Sequence, residues 1–586
     1  MKYLILIVVF LNTMVSHAGL PVSPNTADSL VKLGFTEFRI PQKGDTLAFN
    51  DQDKKQGFAL YSRDRNIEIF PYSYPYKGER LDTLRLRAAP GEIESNGFNI
   101  YALSDLKKVK AEAAVKPLDG KSAWLAKAAT VDDIVFHVIR STSMEKNEKS
   151  FMHYPMFVYG PESRAIKKGA TGLFWVTIKV PENVKAGAYH AAVSCSVDGT
   201  PYSFPLRVEV LPFRLTDKGV PRFGAFRSNV EFVSEEWEFL KETGIDMLWW
   251  IWPANRIQVI NDNGKLKMDF TSVDAFVERM KKAGMRGPIA IQLGNNCWGS
   301  LEIALNKTFG TRLFEGELNS ANVIVGDTSD PTLGELYPQA CSLMYSHSIE
   351  KKWPRLTLVI YDEAPLRLMP WLRYWYPRVK KKAPDLPIYG VFHIADDDKY
   401  AQIPYCDIMC ANRGHATTSM LAKKNDKEYW AYHNCDANRS FGKVRFSYGQ
   451  IPSYYDATGM FFWSYNFYRG DPWNDFDRDG GDADWVIVYP SQDGKRPVQT
   501  LAFKGLIEGI DDVRYIKTLE DLVKEKDPGR WERLNAHIKS KQNKMFEGII
   551  LDHRVFTDED FFRNTKPTDT ENLRDFVIKE ILNYSK

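Results

Sequence analysis

The chain of 586 residues has little net charge and, after its first residues, no long apolar run. Lysine and arginine total 78 and aspartate and glutamate 75, so the formal net charge is +3. This near balance, without any block of like charges, argues against nucleic-acid binding through phosphate neutralisation. No later stretch reaches the about 18 uninterrupted apolar residues of a membrane-spanning helix, so no membrane insertion is expected.

Three common catalytic motifs are also missing. Without a phosphate-binding glycine loop, a GxSxG elbow or an HExxH motif, phosphoryl transfer, serine hydrolysis of that type and zinc proteolysis have no support. Cys406 and Cys410, with His415 nearby, fit no standard zinc spacing, and we interpret them as buried thiols. Residues 475–480 (DFDRDG) imitate the first half of a calcium loop, but Val486 replaces the closing glutamate. No metal or other cofactor is therefore predicted.

The first 18 residues have the pattern of a secretory signal. Lys2 precedes the apolar residues 4–10, and Ser16 and Ala18 stand at the −3 and −1 positions of a cleavage site. No cysteine lies near that site, so no lipid anchor is expected. The pattern predicts an exported protein, periplasmic or secreted.

Residues 19–215 predict a β-sandwich domain. Apolar and polar residues alternate with period two in short segments such as residues 174–180, 188–197 and 202–211, and Asp198-Gly199 is a hairpin turn signal. Short strands at this spacing, with almost no helical periodicity, are typical of a sandwich.

Residues 216–525 have a different hydrophobic pattern, which predicts a (β/α)8 (TIM) barrel. Apolar segments alternate with helix-period segments, as in a parallel sheet covered by helices. The predicted strands are residues 223–226, 247–252, 288–293, 356–361, 388–393, 407–412, 429–434 and 460–466. An amphipathic helix over residues 500–523 closes this region, and residues 526–586 are predicted to form an outer helical extension.

The fourth predicted strand runs directly into two acids, Asp362 and Glu363. Barrel enzymes carry their active sites at the carboxyl ends of the strands. Because crowded carboxyl groups resist double ionisation, one pKa should rise, and that group can hold a proton near neutral pH. Protonation of a glycosidic oxygen needs such an acid. The alternative is that Asp362 caps the next helix and that Glu363 is solvated.

Short phrases along the chain form a pattern in their order and spacing. They are AAPGE (88–92), WVTIKVP (175–181), AGAY (186–189), DNGKL (262–266), IYDE (360–363), FFW (461–463), DPW (471–473), YP (489–490) and EGIDD (508–512). Together they resemble the family 123 glycoside hydrolases, which are exo-acting β-N-acetylgalactosaminidases, and relatives that share their catalytic domain. The resemblance covers most of the mature chain. The family usually has proline directly after the acid pair, whereas Ala364 precedes Pro365 here.

The resemblance implies retaining, substrate-assisted hydrolysis of terminal β-linked 2-acetamido sugars of the GalNAc type. The oxygen of the sugar's acetamido group attacks the anomeric carbon, so no enzyme nucleophile is needed. Glu363 would act as general acid and then as base for water. Asp362 would hold the acetamido N–H and stabilise the oxazolinium-like intermediate by its negative charge.

Further residues near the ends of predicted strands are candidates for sugar contact, because aromatic faces pack on sugar C–H surfaces and polar groups bind hydroxyls. The candidates are Tyr361, His393, Asn412, Trp463, Tyr465 and Trp473. Each of them, taken singly, suits a packing role about as well.

Two other functions remain open. The first is a retaining glycosidase on another sugar, with Asp436 as the nucleophile after the seventh strand. Against it, Asp362 stands where such enzymes usually carry asparagine before the catalytic glutamate. The second is an exported glycan-binding protein without catalysis, which would not need crowded carboxyl groups. Each of these hypotheses makes a glycan the partner, and none predicts the oligomeric state.

Overall fold

The computed structural model describes residues 26–140, 149–226, 234–251, 256–294, 301–312, 316–318, 324–326, 330–363, 369–392, 397–412, 416–434, 440–468, 470–477, 485–491, 496–546, 566 and 568–585. Among these residues, no helix combines the length and the apolar composition that crossing a membrane requires.

The N-terminal part of the chain is rich in strands, which form two sheets around a shared core. The first sheet contains Phe58–Tyr61, Ile93–Ala102, Thr171–Lys179, Ala129–Arg140 and Ser150–Tyr159, with Thr36–Glu37 beside the last. The second contains Leu84–Ala88, Thr200–Val210, Gly187–Val197, Leu106–Ala111 and Arg164–Ile166, with Lys116–Pro117 at its side. Short helical segments are Ala27–Lys32, Asp51–Gln56, Gly120–Ser122 and Leu125–Ala128. Phe98 of the first sheet packs edge-on against Phe204 of the second, with ring centroids 4.9 Å apart.

Two short strands from the far end of the chain extend the first sheet. Val498–Thr500 pairs with Ser150–Tyr159, and Val488–Tyr489 pairs with Val498–Thr500. The sheet therefore draws on residues from both sides of the domain boundary predicted at residue 215.

Eight parallel strands form a nearly closed barrel in the middle of the chain. Barrel strands 1 to 8 are Arg222–Phe226, Ile245–Ile251, Ile289–Gln292, Leu356–Val359, Tyr389–Phe392, Ile408–Asn412, Glu428–Asn434 and Gly459–Trp463. They pair in the order 4-3-2-1-8-7-6-5, and each neighbouring pair is parallel. A parallel bridge between Leu358 and Ile388 joins strands 4 and 5. These strands coincide with the eight predicted apolar segments.

Helices cover the outside of the barrel and form the C-terminal part of the chain. Those between the strands are Ser234–Glu242, Thr271–Lys282, Leu301–Phe309, Pro331–Glu350, Met369–Lys382, Asp397–Tyr405, Ala416–Lys424 and Phe441–Tyr454. The C-terminal helices are Leu501–Lys524, Pro528–Phe546 and Thr568–Tyr584. Small paired strands are Gln258–Asp262 with Lys265–Asp269, Gly316–Leu318 with Ile324–Gly326, and Asn466–Phe467 with Trp485–Val486.

Side chains alternate between two cores along each barrel strand, because successive residues of a strand point to opposite faces. In strand 6, Met409 and Ala411 belong to the large core shared with the helices, whereas Ile408 and Cys410 belong to a smaller core inside the barrel. This alternation identifies which strand-end side chains can point toward the barrel axis.

A network of buried ion pairs joins the N-terminal sheets to the helices behind the barrel. Arg574 of the last helix contacts Asp512 at 2.6 Å and Glu508 at 2.8 Å, both on Leu501–Lys524. Arg65, from the N-terminal region, contacts Glu508 at 3.0 Å, and Arg445 contacts Asp512 at 2.8 Å. The acids of the EGIDD phrase therefore have a structural role, since buried charges need partners.

Candidate active site

The acid pair lies at the carboxyl end of barrel strand 4. The strand residues Leu356–Val359 and Ile360 are buried, and Asp362 and Glu363 are only partly buried. Glu363 has a φ of 45°, in the left-handed region that residues other than glycine rarely adopt. Such backbone strain costs on the order of 1–3 kcal/mol and clusters at functional sites.

The Asp362 carboxyl group does not titrate like a free acid. The surrounding protein removes water from Asp362, and the neighbouring charge of Glu363 adds to this effect, so the pKa of Asp362 rises from 3.8 to about 8. Asp362 therefore holds a proton at neutral pH when the site contains no ligand. The sequence predicts one raised pKa in the pair, and it belongs to Asp362, the acid that the resemblance expects to be ionised.

Tyr432 connects barrel strand 7 to the acid pair. Its hydroxyl donates a hydrogen bond to a carboxylate oxygen of Glu363 across the barrel mouth. Burial, and next the nearby charge of Glu363, raise the pKa of Tyr432 well above its usual value of 10. The phenol therefore stays protonated and remains a hydrogen-bond donor near neutral pH.

Aromatic side chains form the floor below the acid pair. Trp249 of strand 2 packs against Tyr389 of strand 5 and Tyr432 of strand 7, with ring centroids 5.8 and 6.4 Å away. Phe226 of strand 1 packs against Trp463 of strand 8 at 4.0 Å. These rings belong to or pack against the core inside the barrel, so they form an apolar base that lowers the local dielectric.

Two of the predicted sugar-contacting residues lie at the same end of the barrel as the acid pair. Asn412 ends strand 6, shares the inward face of Cys410 and pairs in register with Tyr432. Trp463 ends strand 8 and is partly buried. Both positions are compatible with sugar contact, which stays a prediction.

Three other candidates have packing partners away from the barrel axis. Tyr361 packs against Trp371 at 5.8 Å, and Tyr465 is fully buried in the outer core. Trp473 packs against Phe157 of the first N-terminal sheet at 5.0 Å. These contacts favour packing roles, because none of these rings joins the core inside the barrel. His393 and Asp436 lie outside the described residues.

No metal site emerges from the part of the chain that the structure describes: no three histidine, cysteine or acidic side chains are grouped to hold an ion. Cys406 and Cys410 are free, buried thiols, which confirms the interpretation from the sequence. Asp475 accepts a hydrogen bond from the backbone N–H of Arg140 at 2.9 Å. Residues 478–480 of the calcium-like segment lie outside the described residues.

Sequence reasoning missed two residues of this region. Tyr432 could have been found, because it lies near the end of strand 7 on the inward face. Glu302 had no signal, being a single acid on the helix Leu301–Phe309. Burial raises its pKa to about 8, and the nearby indole N–H groups of Trp371 and Trp375 oppose this rise. Trp371 also contacts Tyr361, so Glu302 supports the packing behind the strand that carries the acid pair.

The fold and the site together define a class of protein. Two adjacent carboxyl groups at the carboxyl end of a parallel barrel, above tryptophan and tyrosine rings, are typical of a glycoside hydrolase.

Comparison with known proteins identifies the family. The sequence model for the catalytic domain of glycoside hydrolase 123 matches residues 224–519, and the chain belongs to glycoside hydrolase family 123. No curated protein sequence matches the chain significantly.

A solved structure from the same family shares the fold. A family 123 glycoside hydrolase from Clostridium perfringens, analysed for glycolipid glycan hydrolysis, superposes with a TM-score of 0.64 at 14% identity. The match covers 90% of this chain and 98% of that one. An endo-β-1,4-mannanase from Thermotoga petrophila reaches a TM-score of 0.34 at 14% identity, over 51% of this chain and 78% of its own.

Proposed function

We propose that the protein is an exported glycosidase that releases terminal β-linked 2-acetamido sugars of the GalNAc type by substrate-assisted, retaining catalysis. In this proposal the barrel is a (β/α)8 catalytic domain, the N-terminal sheets are a β-sandwich, and residues 1–18 are a signal peptide. The observation that carries the proposal is the acid pair with its donor: Asp362 with a raised pKa beside Glu363, which accepts a hydrogen bond from Tyr432.

In this mechanism the two acids have different tasks. Glu363 donates a proton to the leaving oxygen while the sugar's acetamido oxygen attacks the anomeric carbon from the other face, forming the oxazolinium-like intermediate. Glu363 then accepts a proton from the water that opens this intermediate. Asp362 accepts a hydrogen bond from the acetamido N–H. When ionised, it also stabilises the positive charge that develops on the ring.

The raised pKa of Asp362 couples substrate binding to proton loss. An acetamido N–H that donates to Asp362 favours the carboxylate, so a bound substrate lowers the pKa that burial and Glu363 have raised. Below pH 8, binding must therefore move the proton from Asp362 to Glu363, which needs it to act as the general acid. A sugar hydroxyl at the same place would favour the ionised form of Asp362 less. It can donate a hydrogen bond to the carboxylate, but it can equally accept one from the protonated carboxyl group.

This coupling predicts the pH dependence of kcat/KM. For a 2-acetamido substrate, kcat/KM should fall as the pH rises through about 8, because the acid pair then loses the one proton that Glu363 needs to protonate the leaving oxygen. The limb belongs to the coupled pair, so its midpoint is an apparent value. Initial rates between pH 4 and 9 measure it. A kcat/KM that stays constant as the pH rises from 7 to 9 would contradict the placement of the proton.

Tyr432→Phe tests the contact across the barrel mouth. Loss of one hydrogen bond to the Glu363 carboxylate should lower kcat about tenfold, since a bond to a charged group contributes about 1.5–3 kcal/mol. KM should change little, because Tyr432 touches the acid rather than the sugar. Tyr389→Phe is a matched control in the same inner core. Equal losses of kcat in both variants would assign Tyr432 to packing alone.

Aryl glycosides test the proposed specificity. The protein should release p-nitrophenol from the 2-acetamido-2-deoxy-β-galactoside, and more slowly or not at all from the β-galactoside with a 2-hydroxyl. A 2-deoxy-2-fluoro glycosyl fluoride should leave the mass of the protein unchanged, because no carboxylate forms a bond to the sugar. Labelling at Asp436 would support the two-carboxylate alternative. Sugar binding without release from any aryl glycoside would support a glycan-binding protein.

A further inference from the structure

A second cavity lies between the N-terminal sheets and the outside of the barrel. Its volume is about 730 Å³, and its walls include Trp124, Thr177 and Lys504. Glu242 and Thr243, which also line it, come just before barrel strand 2, whereas the acid pair follows the end of strand 4. The cavity is therefore at the opposite end of the strands from the candidate active site, and it is large enough for one or two sugar rings.

Lys504 gives this cavity an unusual charge. The side chain belongs to a residue that is only 7% exposed, and its ammonium donates to the hydroxyl of Thr177 at 3.2 Å. Within the described part of the chain, no carboxylate lies within 4.0 Å of the ammonium. Burial lowers the pKa of Lys504, whereas the more distant carboxylates of Asp132 and Glu508 raise it, and Glu508 already pairs with Arg574. A buried ammonium normally has a closer acidic partner.

The acids on the cavity wall are already paired. Glu242 contacts Lys179 at 3.5 Å and Arg496 at 3.1 Å, and Glu182 contacts Arg214. None of these acids neutralises Lys504, so the cavity offers cationic charge to a ligand.

An aromatic ring lies in the same wall. Trp124 is partly buried, and Tyr189 packs edge-on against it with ring centroids 5.3 Å apart, which holds the indole in place. A ring held this way can pack on the C–H face of a sugar. Thr130, Thr177 and Gln499 add hydroxyl and amide groups to the lining.

We propose that this cavity is a second, non-catalytic saccharide site that binds an acidic sugar. Lys504 pairs with the carboxylate or sulfate of the ligand, Trp124 packs on its ring, and the threonine hydroxyls bind its hydroxyls. The site would hold an acidic part of a glycan away from the acid pair.

Calorimetric titration of the full chain at low salt tests the site with four probes: glucuronate, galactose 6-sulfate, galactose and inorganic sulfate. Both acidic sugars should bind, galactose should not, and inorganic sulfate should bind more weakly than either acidic sugar. Lys504→Met should weaken binding of the acidic sugars about tenfold or more, the value of a charge-assisted hydrogen bond. Lys265→Met, on the exposed hairpin strand Lys265–Asp269, should leave it unchanged.

The outcomes separate the proposal from its rivals, and none depends on hydrolysis. Absence of binding, or binding that Lys504→Met leaves unaltered, overturns the site. If inorganic sulfate binds as tightly as the acidic sugars, the cavity is a site for anions in general, and the proposed role of the sugar ring is wrong. Without ligand, Lys504→Met should melt no lower than wild type, because it removes a buried charge that has no carboxylate within 4.0 Å in the described part of the chain. A clearly lower melting temperature would show that Lys504 is already paired.

Discussion

Glu363→Gln should lower kcat for a 2-acetamido aryl glycoside about 10²–10⁴-fold, the usual contribution of a general acid and base. Glutamine keeps the size of the side chain and can still accept the hydrogen bond from Tyr432, but its amide has no acidic proton to transfer to the leaving group. The loss should grow as the leaving group becomes more basic, because a dinitrophenolate leaves without help and a simple alkoxide does not. Steady-state rates over a series of aryl leaving groups measure this dependence.

Glu302→Gln is the matched control for this loss. Glu302 is another buried carboxyl group with a raised pKa, but the groups that influence it are the indoles of Trp371 and Trp375. Its replacement should show no dependence on the leaving group. If Glu363→Gln shows none either, Glu363 does not protonate the leaving oxygen.

Asp362→Asn should lower kcat about 10²–10³-fold for 2-acetamido substrates, as expected for loss of a fixed charge that stabilises a cationic intermediate. Substrates without the acetamido group should be affected much less, because they cannot form the oxazolinium-like intermediate. The ratio of kcat/KM between the acetamido and hydroxyl substrates measures this selectivity. An equal loss on both substrates would contradict the role of Asp362 as the partner of the acetamido group.

Stability provides an independent check on Asp362. Its folded pKa of about 8 lies above the ordinary 3.8, so the folded chain binds the proton more tightly than the unfolded chain does. This carboxyl group therefore makes the protein less stable as the pH rises from about 4 to 8. Asp362→Asn should raise the free energy of unfolding at pH 8 by on the order of 5 kcal/mol, because the pKa rises from 3.8 to about 8 and each pKa unit corresponds to about 1.4 kcal/mol, and by much less at pH 4. A loss of activity in this variant would then not arise from unfolding.

Local patterns in the sequence predict most of the architecture. The hairpin at Asp198-Gly199 appears with φ of 50° and 84°, the left-handed values that two-residue turns require. The barrel strands could be predicted from the sequence because a strand that is buried on both faces forms a continuous apolar run between helices. The long helix predicted over residues 500–523 is Leu501–Lys524.

Contacts between distant segments were not readable from the sequence. The return of Val498–Thr500 to the N-terminal sheet depends on pairing with Ser150–Tyr159, which has no local signal. The hydrogen bond from Tyr432 to Glu363 joins strands 4 and 7, and only the closure of the barrel brings them together. Trp473 and Tyr465 were aromatic residues near strand ends, but their packing partners come from elements that period-two patterns do not locate.

Inhibition by a thiazoline analogue of the oxazolinium-like intermediate is the most direct test of the proposed mechanism. The account predicts competitive inhibition of the wild-type enzyme, with an inhibition constant well below KM for the matching aryl glycoside and a marked loss of potency in Asp362→Asn. If the thiazoline does not inhibit hydrolysis of the 2-acetamido substrate, the proposed mechanism is contradicted.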